Sequence, residues 1–267
     1  MGIDLVVTDL DGSLWSGSGE VHAATRAAWS ELTRRRVPVL VATGRRITST
    51  REPLARLGWA PPAVVLNGAL ALDLATGERF HRHSFDADAA ERVLEAFLKV
   101  GVEPCVYVEH AAIDVYVSDC PSTHLDHVAS FGALSEVAHL PEIVRSVPVL
   151  GFGVLGHRRE PLEQVAAALG GVGEAHFGVD KLYGEHALTV APAGLSKWDG
   201  VRAFCTREGL DAERVLVVGD GPNDLELLAH AAIAVVPEDG YTLALDLADH
   251  VVASPSVGGW SAILDFI

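Results

Sequence analysis

Basic residues are scarce in this chain: 20 Lys and Arg stand against 36 Asp and Glu in 267 residues, a net charge of −16. Nucleic acid and anionic membranes attract clustered cations, so neither is expected as a partner. Cysteine is scarce too. Cys105, Cys120 and Cys205 are odd in number and lack metal-ligand spacing, which excludes a disulfide framework and a zinc site. They read as reduced thiols of a cytoplasmic protein, two of them in core positions. No apolar run reaches the roughly 20 residues a membrane span needs. The opening residues, Met1-Gly2-Ile3-Asp4, run into a strand without a basic-then-apolar leader. Repeats, low-complexity tracts and long linkers are missing as well. The expectation is a soluble monomer or small homo-oligomer.

What is present is enough apolar sequence, 49%, for one large domain or two of unequal size. Residues 3–8, 37–42 and 63–66 read as buried strands, and residues 23–36 and 49–57 as the helices between them. That β-α-β-α-β order implies right-handed crossovers and a parallel sheet with helices on both faces. A hairpin follows, residues 69–74 and 79–85 around Gly77, then a helix over 86–100 opened by Asp86. Short strands at 105–108, 114–117, 147–155 and 175–177, with a helix at 160–169, read as a smaller α+β unit inserted in the larger one. Residues 187–191 read as a strand or connector. Regular order then returns: a helix over 197–208 capped by Ser196, a strand at 215–218, a helix at 225–231 and a strand at 233–236. The expected division is residues 1–84 with 186–267 for an α/β, Rossmann-like core, and 85–185 for the insert.

Chemistry-bearing residues follow the predicted strands. Asp9-Leu10-Asp11-Gly12-Ser13 leaves the first, Thr43-Gly44-Arg45 the second, Asn67-Gly68 the third, and Gly219-Asp220-Gly221-Pro222-Asn223-Asp224 the strand at 215–218. Ligands of open parallel sheets collect beyond the carboxyl ends of the strands, so one edge can gather all four. Asp9 and Asp11 suit a nucleophile and a general acid-base, provided their environments differ. A carboxylate attacking a phosphate dianion meets charge repulsion, so a divalent cation is expected, and Asp220 with Asp224 offers the hard oxygens Mg²⁺ takes. Thr43, Gly44 and Arg45 can hold phosphate oxygens, and Asn223 can donate to them. Arg45 can pair with substrate phosphate or with an acidic residue of the insert. Lys197 sits in the first turn of its helix, where the dipole disfavours a cation. Taken singly, Asp-Gly-Ser is also a turn signal, Thr-Gly-Arg a helix entry and Lys197 a surface lysine. The hexapeptide is the hardest to reduce to a turn.

In this order, these motifs resemble those of haloacid dehalogenase-superfamily phosphatases of the Cof type, with a large α/β cap. The resemblance implies that Asp9 is phosphorylated, that Asp11 protonates the leaving alcohol and then activates water, and that Thr43 and Lys197 hold the phosphoryl group. It implies Mg²⁺ at Asp9, the main-chain carbonyl of Asp11, and Asp220; from the residues alone, Asp224 is a metal candidate that binds through water or orients the loop. It implies a cap that closes over the site and selects the leaving group. Ser13 stands where Thr is more usual, and Ile233-Ala234-Val235-Val236-Pro237-Glu238-Asp239 replaces the usual Gly-Val-Ala-Met-Gly-Asn-Ala-like segment. The expected substrates are small phosphorylated metabolites such as sugar phosphates. A phosphotransferase or mutase, and a non-catalytic phospho-ligand binder, stand as alternatives.

Overall fold

Runs of aliphatic residues buried on both faces set the core. In this computed structural model, every residue of β1 (Leu5–Thr8), β2 (Val39–Ala42) and, later, Val215–Val218 is buried. Such continuous runs mark a parallel sheet covered on two sides. The structure describes residues 2–17, 19–110, 112–180 and 182–267; Met1, where the leader reading begins, lies outside them. The chain forms two compact units, Met1–Arg82 with Ser196–Ile267, and His83–Leu195.

In the larger unit, α1 (Ala23–Arg35) joins β1 to β2, and α2 (Ile47–Arg56) joins β2 to β3 (Pro62–Val65). The hairpin β4 (Leu70–Asp73) and β5 (Arg79–Arg82) extends the sheet antiparallel. The smaller unit runs α3 (Ala87–Lys99), β6 (Cys105–Val108), β7 (Val115–Val117), α4 (Leu125–Ala129), β8 (Ser135–Val137), α5 (Leu140–Ser146), β9 (Val149–His157), α6 (Arg159–Ala168), β10 (Gly173–Val179) and β11 (His186–Pro192). The larger unit then resumes with α7 (Lys197–Glu208), β12 (Val215–Val218), α8 (Leu225–His230), β13 (Ile233–Pro237), α9 (Thr242–Leu245) and β14 (His250–Val252).

The large sheet has the order β14-β13-β12-β1-β2-β3-β4-β5, parallel from β14 to β3. Alternation along β1 divides its side chains between two faces. Leu5 and Val7 pack with Val201 and Phe204 of α7 and Leu227 of α8. On the other face, Trp260 donates its indole N–H to Thr8 Oγ1 at 3.0 Å. Trp29 of α1 stacks on Trp59 and on Trp260, with ring centroids 4.1 and 6.0 Å apart. Each fully buried aliphatic side chain in these layers contributes about 1.5–3 kcal/mol of transfer free energy. The crossover after β1 runs to β2 on one side and that after β12 runs to β13 on the other, so the carboxyl ends of these paired strands form a topological switch point.

The smaller sheet, β10-β11-β9-β6-β7-β8, is antiparallel except for β7 with β8. Val93 and Phe97 of α3, Val144 of α5 and Val165 of α6 pack on Phe152, Val154 and Val190 of its strands. One boundary needs correction. Residues 186–195, expected in the core domain, belong to the smaller unit, because β11 pairs on both sides with β9 and β10. Cys105 and Cys205 are buried, Cys120 is exposed, and all three are free thiols. No helix among the described residues is long and apolar enough to cross a membrane.

Candidate active site

The carboxyl end of β1 releases Asp9 and Asp11, that of β2 Thr43, and that of β12 Asp220. These parallel neighbours bring Asp9 and Asp220, from near the two ends of the chain, to one edge. Ligand oxygens of Asp9, Asp220 and Asp224 all lie within 4.8 Å of one another, and all three residues are buried. Lys197 is drawn into this group. Its ammonium donates to Asp9 Oδ1 and Asp224 Oδ1, each at 2.7 Å. Asp224 Oδ2 accepts the backbone N–H groups of Asp220 (3.0 Å) and Gly221 (2.9 Å), so both its oxygens are engaged in holding the loop and the lysine. Ser13 Oγ donates to Asp220 Oδ1 at 3.0 Å. Asp9 Oδ2 accepts no hydrogen bond among the described residues. Gly12, at φ +94°, is required here: a Cβ would run into the Asp220 carboxylate.

Burial holds the Asp9 carboxyl well above the usual carboxylate range, reinforced by Asp224, Asp220 and Asp11 and opposed by Lys197. Burial alone would depress the Lys197 ammonium, but Asp224 and Asp9 outweigh it and raise its pKa. Three carboxylates facing one ammonium leave the cluster two formal negative charges in excess. Hard oxygens converging on that excess fit a divalent cation such as Mg²⁺, with Asp9 and Asp220 as the carboxylates best placed to hold it.

Asp11 lies apart from this group. Its Oδ2 accepts Arg45 Nε at 2.5 Å, and its Oδ1 accepts Arg45 Nη2 at 2.6 Å and Trp15 Nε1 at 3.0 Å. Burial would raise the Asp11 carboxyl, yet the Arg45 charge and its hydrogen bonds, with that of Trp15, bring it below the usual value. Arg45 also donates from Nη1 to the Ser49 carbonyl at 3.0 Å, and its backbone N–H donates to Thr43 Oγ1 at 3.2 Å. The two aspartates thus sit in opposed environments.

After β3 the chain turns sharply, with Leu66 at φ 51° and Asn67 at φ 54°. Such left-handed conformations cost about 1–2 kcal/mol for most residues and less for Asn. The turn sets Asn67 Oδ1 to accept Asn223 Nδ2 at 2.9 Å. A Cβ on Gly44 would stand 2.9 Å from the same oxygen, so Gly44 keeps this loop junction closed. The structure therefore gathers Asp9, Lys197, Asp220 and Asp224 around one point, pairs Asp11 with Arg45, and joins Asn67 to Asn223. Trp15 was missed by sequence reasoning, since a tryptophan among serines and glycines carries no signal that its N–H serves a carboxylate.

A family model for haloacid dehalogenase-like hydrolases matches residues 6–264, which takes in both units. The chain belongs to the haloacid dehalogenase-like hydrolases. This hydrolase is 25% identical over 260 residues to a phosphoglycolate phosphatase of Methanopyrus kandleri, spanning 97% of this chain and 95% of that protein. It is 26% identical over 236 residues to an HMP-PP phosphatase of Serratia proteamaculans, covering 87% and 82% of the two chains. Its fold matches a solved structure described as a HAD subclass IIB sugar phosphatase, with a TM-score of 0.78, 21% identity and 98% of each chain covered.

Proposed function

We propose that this hydrolase is a Mg²⁺-dependent phosphomonoesterase acting on small phosphorylated metabolites, sugar phosphates among them, through an aspartyl phosphate on Asp9. The observation that carries this reading is the Asp9 carboxylate. One oxygen is anchored on buried Lys197 and the other accepts no hydrogen bond among the described residues, and the carboxylate has an oxygen within 4.8 Å of those of Asp220 and Asp224, at a switch point where ligands bind. The phosphatases among its relatives support the same class of reaction.

Asp9 Oδ2 attacks phosphorus as the ester oxygen departs, and Asp11 gives that oxygen a proton. Water then attacks the acyl phosphate, losing a proton to Asp11, and phosphate leaves with Asp9 restored. Lys197 holds Asp9 in place and offsets charge on the transferred group, while Thr43, Gly44, Arg45 and Asn223 line the phosphate's side. Asp9 and Asp220, with the Asp11 carbonyl and with Asp224 through water, would hold Mg²⁺, which would offset the negative charge of the phosphate dianion.

A panel of phosphorylated metabolites assayed for inorganic phosphate, with and without Mg²⁺, tests this. Turnover is expected only with the ion. Asp9→Asn should lose activity by about a thousandfold or more, as removal of a nucleophile does, with its circular dichroism unchanged. Phosphate release at near wild-type rate by Asp9→Asn, or in chelator, refutes the reading. Capture of phosphate by an added alcohol in place of water would convert it to a phosphotransferase.

A further inference from the structure

As the structure stands, Asp11 cannot donate a proton. Both of its carboxylate oxygens are acceptors, Oδ2 of Arg45 Nε and Oδ1 of Arg45 Nη2 and Trp15 Nε1. A carboxyl group that protonates a leaving oxygen must carry a hydrogen on one oxygen and turn it outward. Arg45 must therefore let go, and a phosphate group offers the same planar fork a matching anion. Trp15 need not let go. Its ring is fully buried, and its backbone is locked by Gly12 N–H donating to the Trp15 carbonyl at 2.9 Å and Trp15 N–H donating to the Leu10 carbonyl at 3.1 Å. The face of the same ring lies 5.3 Å from the Arg45 guanidinium carbon, so the indole is in contact with both partners of the ion pair.

We infer that Trp15 is a positioning residue that keeps Asp11 Oδ1 pinned while Arg45 passes from the Asp11 carboxylate to the substrate phosphate. Oδ2 is thereby left as the oxygen that takes a proton from solvent, gives it to the leaving alkoxide and later accepts one from water. This rests on the proposed role of Asp11. Arg45 is the latch, and substrate phosphate opens it.

The two residues have opposite kinetic signatures. Trp15→Phe removes the N–H and keeps an apolar ring. Single-turnover phosphorylation of Asp9 by an alkyl phosphate such as glycerol 3-phosphate should slow by about tenfold or more, the lower end of what general acid catalysis contributes. With p-nitrophenyl phosphate, whose leaving group needs no proton, the rate should stay within about a factor of two, and KM should be unchanged for both. Arg45→Ala should instead raise KM for both substrates and keep the wild-type ratio of alkyl to aryl rates. Equal slowing of both substrates by Trp15→Phe, or of neither, overturns the inference.

A readout without turnover covers the case in which Trp15→Phe fails to fold. The chain has five tryptophans, and only Trp15 has Arg45 over its ring among the described residues. The indole N–H resonance that moves most in Arg45→Ala is expected to move the same way when inorganic phosphate is added to the wild type. No common resonance overturns the assignment. Asp9→Asn run in parallel separates the two levels: acyl phosphate formed by that variant removes the reading of the site. Its absence there, with Trp15→Phe behaving as wild type, removes only the role of Trp15.

Discussion

Lys197 stands at the first position of α7, where the helix dipole disfavours a cation, and its side chain is fully buried. What offsets both costs is the pair of carboxylates it bridges, Asp9 and Asp224. Removing one partner from a buried ionic group leaves the others uncompensated, at about 3–5 kcal/mol. Lys197→Met should therefore lower stability in urea by that amount without divalent ions, and Mg²⁺ should restore part of it. A variant as stable as wild type in chelator would show that the carboxylates do not depend on the lysine. At this scale the gathering of Asp9, Thr43 and Asp220 at one sheet edge was legible from the motifs together, since each follows an aliphatic strand, while singly each also reads as a turn or helix entry. The hydrogen-bond assignments were not. Sequence offers no register between Asp11 and Arg45, or between Asn67 and Asn223, that identifies them as partners.

The N-terminus of α7 is a capping box: Ser196 Oγ accepts from the Trp198 N–H at 3.2 Å, and Asp199 Oδ2 accepts from the Ser196 N–H at 2.9 Å. That box sets where the first turn begins, and so where Lys197 points. Ser196→Ala should cost about 1 kcal/mol in stability, the usual worth of such a cap, and lower kcat by loosening Lys197. A drop in stability with kcat unchanged would confine the cap to a structural role. The box was legible from Ser196 and Asp199, as was the acidic cap at Asp86, which accepts the Ala89 N–H at 2.8 Å. The missed elements are short. Helix α4 has 5 residues, β8 has 3, α9 has 4 and β14 has 3, too few for periodicity to register. Strand β8 is largely exposed and β14 ends the sheet, so burial left no mark on their sequences.

Across the whole chain, the strand order decides function. β1 lies between strands from opposite ends of the sequence, so Asp9 meets Asp220 and Asp224 without any long loop. The split sheet was legible because parallel strands buried on both faces write continuous aliphatic runs, and the return to that pattern near residue 215 marks the second half. The boundary at residue 186 was not, because β11 alternates like any half-buried strand and nothing local says which sheet it joins. The account depends on Asp9 forming a covalent bond to phosphorus. Acid quenching of a single turnover with an alkyl phosphate and Mg²⁺, then borohydride reduction and peptide mass spectrometry, tests that directly. The expected result is conversion of Asp9 to homoserine in near-stoichiometric amount. An unmodified Asp9, or the mark on another residue, would contradict it.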